Sequence, residues 1–267
     1  MTRLKTTPEE RQVVPYRNVA RELAGSPFAS IEYREETGST NADAAELLGD
    51  DSYGGHTIVA EFQRHGAGRK GRSWQAMPGT ALLFSTILPR SIAVDRLWLV
   101  PFWVALAIRA GLRECGVPTT LKWPNDLLLH YRKLGGILCQ SRVTASTARV
   151  ACGAGINVHR LAGAATVIEP PPAFCDEVGP VDRAALLAAI LRAYDATLAM
   201  LDDAPSVTHD WEAAAEIPGR LYRIAKDDGG SPFEATAQSL EKGGGLRVMR
   251  DDGIGEIVEM ADARILR

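Results

Sequence analysis

Cysteine is scarce and scattered: Cys115, Cys139, Cys152 and Cys175 form no C-x-x-C pair. That spacing argues against a zinc site or a dithiol redox motif and leaves reduced cytosolic thiols as the default. Each cysteine is expected to pack as a small buried hydrophobe. A surplus of one charge is missing too. Lys and Arg number 30 against 33 Asp and Glu, a formal net charge of −3, so no global basic excess points to nucleic acid. Long unbroken apolar runs are absent. Leu97 to Ile108 is interrupted by Pro101 and falls short of the ~20 residues a membrane span needs. The N-terminal MTRLKTTPEERQ is polar and charged, unlike a signal peptide. None of the five histidines sits at metal-ligand spacing, and only His65 falls inside a candidate ligand loop. What is there is ordinary globular composition, 46% hydrophobic and 24% charged over 267 residues. That length suits one large domain with or without a small companion, in a cytoplasmic protein.

Residues 1–30 carry at most one short amphipathic helix, too little for a DNA-binding helix-turn-helix unit. Ile31 to Tyr33 reads as a strand, and Gly38-Ser39-Thr40-Asn41 opens a helix to about Gly49, with the Ser39 or Thr40 hydroxyl as its cap. Thr57 to Phe62 and Thr80 to Leu88 are strands by β-branched and apolar content. Asp95 to Cys115 is a helix, apolar nearly all round and therefore expected against a sheet, with Trp98, Phe102 and Trp103 as core. Leu121 to Trp123, Lys133 to Gln140 and Arg149 to Val158 read as further strands, and Gly163 to Pro180 as loop. Helices follow at Val181 to Leu201 and Val207 to Ala215. After Ile217-Pro218-Gly219 come short strands at Leu221 to Ala225, Phe233 to Leu240, Leu246 to Met249 and Ile254 to Met260, the pattern of a small SH3-type barrel.

Four segments carry candidate chemistry. Gly66 to Trp74 reads GAGRKGRSW: glycines let backbone amides converge on an anion, and Arg69, Lys70 and Arg72 add charge. Its spacing is not that of a P-loop, and the alternative is a solvated basic turn. Lys122-Trp123-Pro124-Asn125-Asp126 places a cation, an amide and a carboxylate around one proline bend, suited to phosphate, ribose or Mg²⁺; a plain Asx turn competes with that reading. Lys133-Leu134-Gly135-Gly136-Ile137-Leu138 puts a lysine beside glycines where a ligand or another backbone comes close; an ordinary hairpin would look the same. Gly153-Ala154-Gly155-Ile156-Asn157-Val158 lacks a full G-x-G-x-x-G and is a weak dinucleotide signal.

Taken in order with Gly38 to Asn41 and Ala60-Glu61-Phe62-Gln63, these segments resemble the biotin protein ligases (biotin–[acetyl-CoA-carboxylase] ligases) from about Gly38 to the C-terminus. The resemblance implies an α+β fold: a mixed sheet with helices of the class II aminoacyl-tRNA synthetase/biotin ligase type over residues 31–217, and an SH3-like domain over 218–267. It implies biotin–[biotin carboxyl-carrier protein] ligase activity. Biotin and ATP would give biotinyl-5′-AMP and pyrophosphate, and a carrier-domain lysine would then take the biotinyl group and release AMP. Ser39, Thr40, Asn41, Gln63, Gly66 and Ala67 would bind the biotin head, with Gly68 and Arg69 holding the activated carboxyl. Lys133 and Arg69 would be the catalytic cations, Lys133 bridging carboxylate and α-phosphate. Arg72, Lys122, Asn125, Asp126 and Asn157 would meet ATP, Asp126 as the Mg²⁺ partner, and Trp74 would close the loop.

One departure stands out: Ala67 occupies a position that is usually arginine in the family, and Arg64 and His65 precede the first glycine. Either that position acts through its backbone, or the loop is looser here and Arg64 compensates. The implied partner is a biotin carboxyl carrier domain, added along a sheet edge that could also support a homodimer. Neither DNA nor a membrane is expected. Two other readings remain: a lipoate or octanoate ligase-like enzyme, and a biotin-responsive sensor without catalysis. Gln63 and Gly38 to Asn41 favour biotin's polar head over the first, and intact Lys133, Arg69, Asn125 and Asp126 oppose the second.

Overall fold

The computed structural model describes residues 8–161, 171–227, 230–261 and 263–265. Strands β1 (Ile31–Thr37), β2 (Thr57–Gln63), β3 (Ala81–Ile87), β4 (Ile92–Ala93), β5 (Thr120–Lys122), β6 (Asp126–Leu129), β7 (Arg132–Thr144) and β8 (Thr147–Asn157) form one sheet. Its order is β1-β2-β3-β8-β7-β6-β5, with β4 beside β8; β1 and β2 run parallel and every other pair antiparallel.

Period-two alternation decides the layers. Val59, Leu82, Phe84, Val150 and Cys152 face a large core with helices α1 (Pro8–Glu22), α3 (Val100–Glu114), α4 (Arg183–Thr197) and α5 (Ala204–Ala214). Ile58, Ile87 and Ala151 face the other way, under α2 (Thr40–Glu46). The α1 side chains Tyr16 and Val19, and Leu23 just after the helix, belong to the main core, so this part of the first 30 residues packs on the sheet.

The helix expected over Asp95 to Cys115 divides: Val94–Leu99 winds as 3₁₀ and α3 begins at Val100 with Pro101 in its first turn, where the missing N–H costs nothing. Phe102 and Trp103 are core as expected, whereas Trp98 is half-buried. Arg183–Asp202 passes for a membrane span by length and composition, as core helices also do; Arg192 and Asp195 interrupt it, and half of the stretch is buried, with α4 packed against α3. Of the segment 163–180, residues 163–170 lie outside the described residues, and Cys175–Glu177 forms a 3₁₀ turn. Cys152 and Cys175 are buried, while Cys115 and Cys139 are half-buried.

A second, antiparallel sheet has the order β12-β11-β10-β9-β13, from β9 (Leu221–Lys226), β10 (Phe233–Leu240), β11 (Leu246–Arg250), β12 (Gly255–Val258) and β13 (Ala263–Ile265). Among the described residues the ladder runs open from β12 to β13, so the expected closed SH3-type barrel is seen only as a five-stranded sheet. Its inner residues Tyr222, Ile224, Ala235, Ala237 and Val248 join the same core as α3 and α5. Trp123, fully buried in the β5–β6 turn, donates from Nε1 to the Gly244 carbonyl at 3.0 Å, and its amide meets the Tyr222 hydroxyl at 3.3 Å.

Candidate active site

On the α2 side of the sheet lies a cavity of about 340 Å³. Its walls come from the N-terminus of α2, the end of β2, the basic loop, the β5–β6 turn and the centres of β7 and β8. The space exists because β8 presents glycines there. Gly153 and Gly155 continue the row that starts with buried Ala151, two residues apart on one face. A Cβ on Gly153 would lie 2.8 Å from Asn41 Oδ1 and 3.0 Å from Ser85 Oγ; one on Gly155 would lie 2.6 Å from the Trp74 indole. The glycines of this segment thus admit side chains of the site, which explains their spacing without any dinucleotide fingerprint.

Uncharged donors and acceptors gather around Thr40. Its amide donates to Gln63 Oε1 at 2.8 Å, and its hydroxyl lies 3.1 Å from the same oxygen and 2.9 Å from Ser85 Oγ. Ser39 is the N-cap of α2 but makes no side-chain cap bond, contrary to the capping expectation; Gln63 takes the first-turn amide instead. Asn41 donates from Nδ2 to the Leu138 carbonyl at 3.1 Å, and its buried Oδ1 has no hydrogen-bond partner among the described residues. A buried acceptor left unpaired is costly, so it marks where a ligand N–H would be stabilised.

Charge gathers on the other residues. Lys133 Nζ donates to Asp126 Oδ1 at 2.5 Å and stands 5.8 Å over the Trp74 ring. Arg69 and Arg72 line the cavity from the loop, which closes on itself through Gly68 N–H to Arg72 O (2.6 Å) and Trp74 N–H to Gly66 O (2.7 Å). Burial, with neighbouring Arg72, pulls the Arg69 guanidinium below its usual range, partly offset by Asp126. An incoming anion would relieve that penalty.

Of the fifteen residues given a role from the sequence, thirteen converge on the cavity. Ser39, Thr40, Asn41, Gln63, Ala67, Gly68, Arg69, Arg72, Asn125, Asp126, Lys133 and Asn157 all line the cavity, as does Trp74. Gly66 and Lys122 do not. Gly66 serves the loop's closure, since a Cβ there would sit 2.4 Å from the Trp74 carbonyl oxygen, and Lys122 lies on β5 opposite Asp126 in register. The amides of Asn125 and Asn157 are tied to backbone carbonyls, of Ile137 at 2.6 Å and Ala173 at 3.1 Å, so both also hold the walls together. Arg64 pairs with Glu36 at 2.8 Å and is not part of the lining, which leaves the position of Ala67 without that substitute. His65 likewise stays outside; its amide donates to the Gly38 carbonyl at 2.8 Å.

Sequence reasoning missed Gln75, Ser85 and Pro172 as lining residues. For Ser85 a signal existed: a hydroxyl in the middle of the apolar strand ALLFSTI must find a partner when buried.

Comparison with known proteins agrees with this arrangement. Residues 34–157 match the model of the biotin/lipoate A/B protein ligase family. A biotin–[acetyl-CoA-carboxylase] ligase of Mycobacterium tuberculosis is 30% identical over 237 residues, covering 84% of each chain. The bifunctional ligase/repressor BirA of Bacillus subtilis is 33% identical over 130 residues, 48% of this chain and 40% of that protein, so the match spans two fifths of that relative's length. Among solved structures, the biotin protein ligase from Aquifex aeolicus in complex with biotin and ATP superposes with a TM-score of 0.71 at 22% identity, covering 89% of this chain and 99% of that one. The fold is therefore that of this enzyme, and by its likeness to the mycobacterial relative the chain belongs to the biotin protein ligase family.

Proposed function

We propose that the chain is an ATP-dependent biotin protein ligase that forms biotinyl-5′-AMP and transfers the biotinyl group to a lysine of a biotin carboxyl carrier domain, such as that of acetyl-CoA carboxylase. One observation carries this reading. A single cavity combines neutral partners for a rigid polar ring (Ser39, Thr40, Asn41, Gln63, Ser85) with the cations Lys133, Arg69 and Arg72. A dithiolane or a bare alkyl acid offers nothing for the neutral group to bond.

In the first half-reaction a biotin carboxylate oxygen attacks the α-phosphorus of ATP, and the bond to the bridging oxygen breaks to release pyrophosphate. Two anions must meet, so the chain's part is to lower their repulsion and fix their line of approach. Lys133 holds its ammonium between them, with Asp126 orienting it, while Arg69 takes the phosphate side. In the second half-reaction the carrier lysine attacks the acyl carbon and AMP leaves, carrying the electron pair of the cleaved C–O bond. Closure of the basic loop keeps water from taking the lysine's place.

Mg²⁺ enters this scheme with the nucleotide. Among the described residues Asp126 is the one carboxylate lining the cavity, and they hold no group of three or more metal-ligating side chains. Asp126 would hold such a Mg²⁺ beside the triphosphate, where it would supply charge neutralisation to the departing pyrophosphate. By the same reading 31–217 is the catalytic domain and 218–267 an SH3-like domain. The carrier adds along the part of β7 beyond Leu138, past the last bonds from β6 and Asn125, and the same edge serves a homodimer. By the same reading the enzyme works in the cytoplasm, and α1 serves the core of the catalytic domain.

The test is ATP–pyrophosphate exchange by the purified protein with biotin, lipoate or octanoate supplied separately. Stimulation by biotin alone is expected. Preference for lipoate or octanoate would overturn the substrate, and silence with all three in folded protein would overturn the activity.

A further inference from the structure

The basic loop is tied to the C-terminal sheet at two points. Arg69 Nη2 donates to the Met260 carbonyl and Lys70 Nζ to Asp227 Oδ2, each at 2.5 Å. Both donors sit on one 3₁₀ turn, Arg69–Gly71, and both acceptors lie at ends of C-terminal strands, Asp227 just after β9 and Met260 just after β12.

A ligand affects the two ties differently. Arg69 lines the cavity, and an ionised carboxylate or phosphate is a much stronger acceptor than a neutral peptide carbonyl. Its guanidinium keeps further N–H groups for such an anion, which also competes for the one now given to Met260. Lys70 is not among the lining residues, so its tie to Asp227 is compatible with an occupied cavity. Lys70 also holds a left-handed backbone (φ 56°, ψ 43°), a conformation that costs a lysine energy and persists where surrounding contacts fix it. The turn therefore depends on what its side chains grip.

Building on the proposed ligase activity, we propose that Asp227 is a positioning residue for the reaction. Through Lys70 it holds the turn down while Arg69 engages the substrate anion, so the C-terminal sheet helps retain the acyl-adenylate until the carrier lysine arrives.

The experiment uses the full chain. Hydrogen exchange of the amides of residues 67–73 is followed in ligand-free protein, and escape of biotinyl-AMP into solution is followed with ATP and biotin present. In Asp227→Asn both are expected to quicken by roughly two- to fivefold, the effect of losing a partly exposed ion pair. Lys70→Asp and Asp227→Lys should each behave likewise, and the double variant, with the charges exchanged, should return toward wild type. A merely structural ion pair would show the same return in loop exchange but leave escape of biotinyl-AMP unchanged in every variant, and that result would overturn the proposal too. Unchanged exchange and escape in Asp227→Asn, or a double variant no slower than the singles, would overturn the proposal. The exchange arm needs no substrate: a wild-type chain that makes no biotinyl-AMP would sink the ligase reading while loop exchange still decides the tie.

Discussion

Gly155→Ala is the smallest change that should disable the site without touching any group that bonds a ligand. Gly155 sits in the extended backbone of β8, so alanine meets no conformational penalty there. The obstacle is steric. The new methyl would lie 2.6 Å from Trp74 Cε2, 2.8 Å from Nε1 and 3.0 Å from Cδ2, closer than carbon atoms tolerate. The strand is held on both sides, by Leu83 of β3 and Gly136 of β7, whereas Trp74 ends a loop, so the indole must move. Overpacking of this size costs about 1–3 kcal/mol. The loop carries Arg69 and Arg72, so an indole pushed off Gly155 takes both cations away from the cavity, and the cost returns whenever a ligand draws them back. At about 1.4 kcal/mol per tenfold it becomes a roughly 5- to 140-fold loss in biotin and ATP affinity. Titration calorimetry for biotin, and the KM for ATP in pyrophosphate exchange, would measure it. Gly155→Ala/Trp74→Leu makes room again and should recover part of the affinity. Wild-type binding in the single variant, or no recovery in the double, would refute the steric account.

Two further outcomes are expected. Lys133→Ala should slow single-turnover adenylation at least about a hundredfold, as loss of one positioned charge costs roughly 2.7–4 kcal/mol in barrier. Its pair with Asp126 has both side chains 24% exposed, so the melting temperature should move little, by the equivalent of about 1 kcal/mol or less; near-normal adenylation would remove Lys133 from the chemistry. Glu177 should make the segment beside the cavity acid-sensitive. Burial alone would raise its pKa, but hydrogen bonds from Arg132 and the Phe174 amide, with charge from Arg132 and Arg160, hold it below the usual carboxylate value. The folded value being the lower, this contribution is complete above the unfolded pKa of about 4.3 and is lost as pH falls through the folded one. Melting temperature against pH should therefore fall less steeply on the acid side in Glu177→Gln than in wild type, and parallel curves would contradict the assignment.

The strands that hold the site were legible because their signals are local. Thr57–Gln63 and Ala81–Ile87 declare themselves by β-branched and apolar content, and the loop Gly66 to Trp74 by glycine and arginine. Strand β6 was not legible: Asp126–Leu129 is four residues long and its apolar run does not alternate, since its side chains are buried on both faces. The capping of α2 escaped for another reason. Thr40 gets its partner from Gln63, 23 residues away, and no local rule anticipates a side chain delivered by a neighbouring strand. The ties of Arg69 and Lys70 to Met260 and Asp227 span 191 and 157 residues and are invisible in any window of sequence.

Trp123 gives the C-terminal strands a meaning beyond packing. Its indole is bonded to Gly244 and its amide to Tyr222, while Asn125 and Asp126 follow within three residues on the same turn. The turn is thus shared property: one end belongs to the second sheet, the other to the cavity. For anyone recombining members of this family, the natural seam is then not the Ile217-Pro218-Gly219 linker, where the chain crosses once. The C-terminal strands and the Lys122 to Asp126 turn form one exchangeable unit, discontinuous in sequence, and a chimera that parts them would change the shape of the nucleotide end of the site without altering a residue in it.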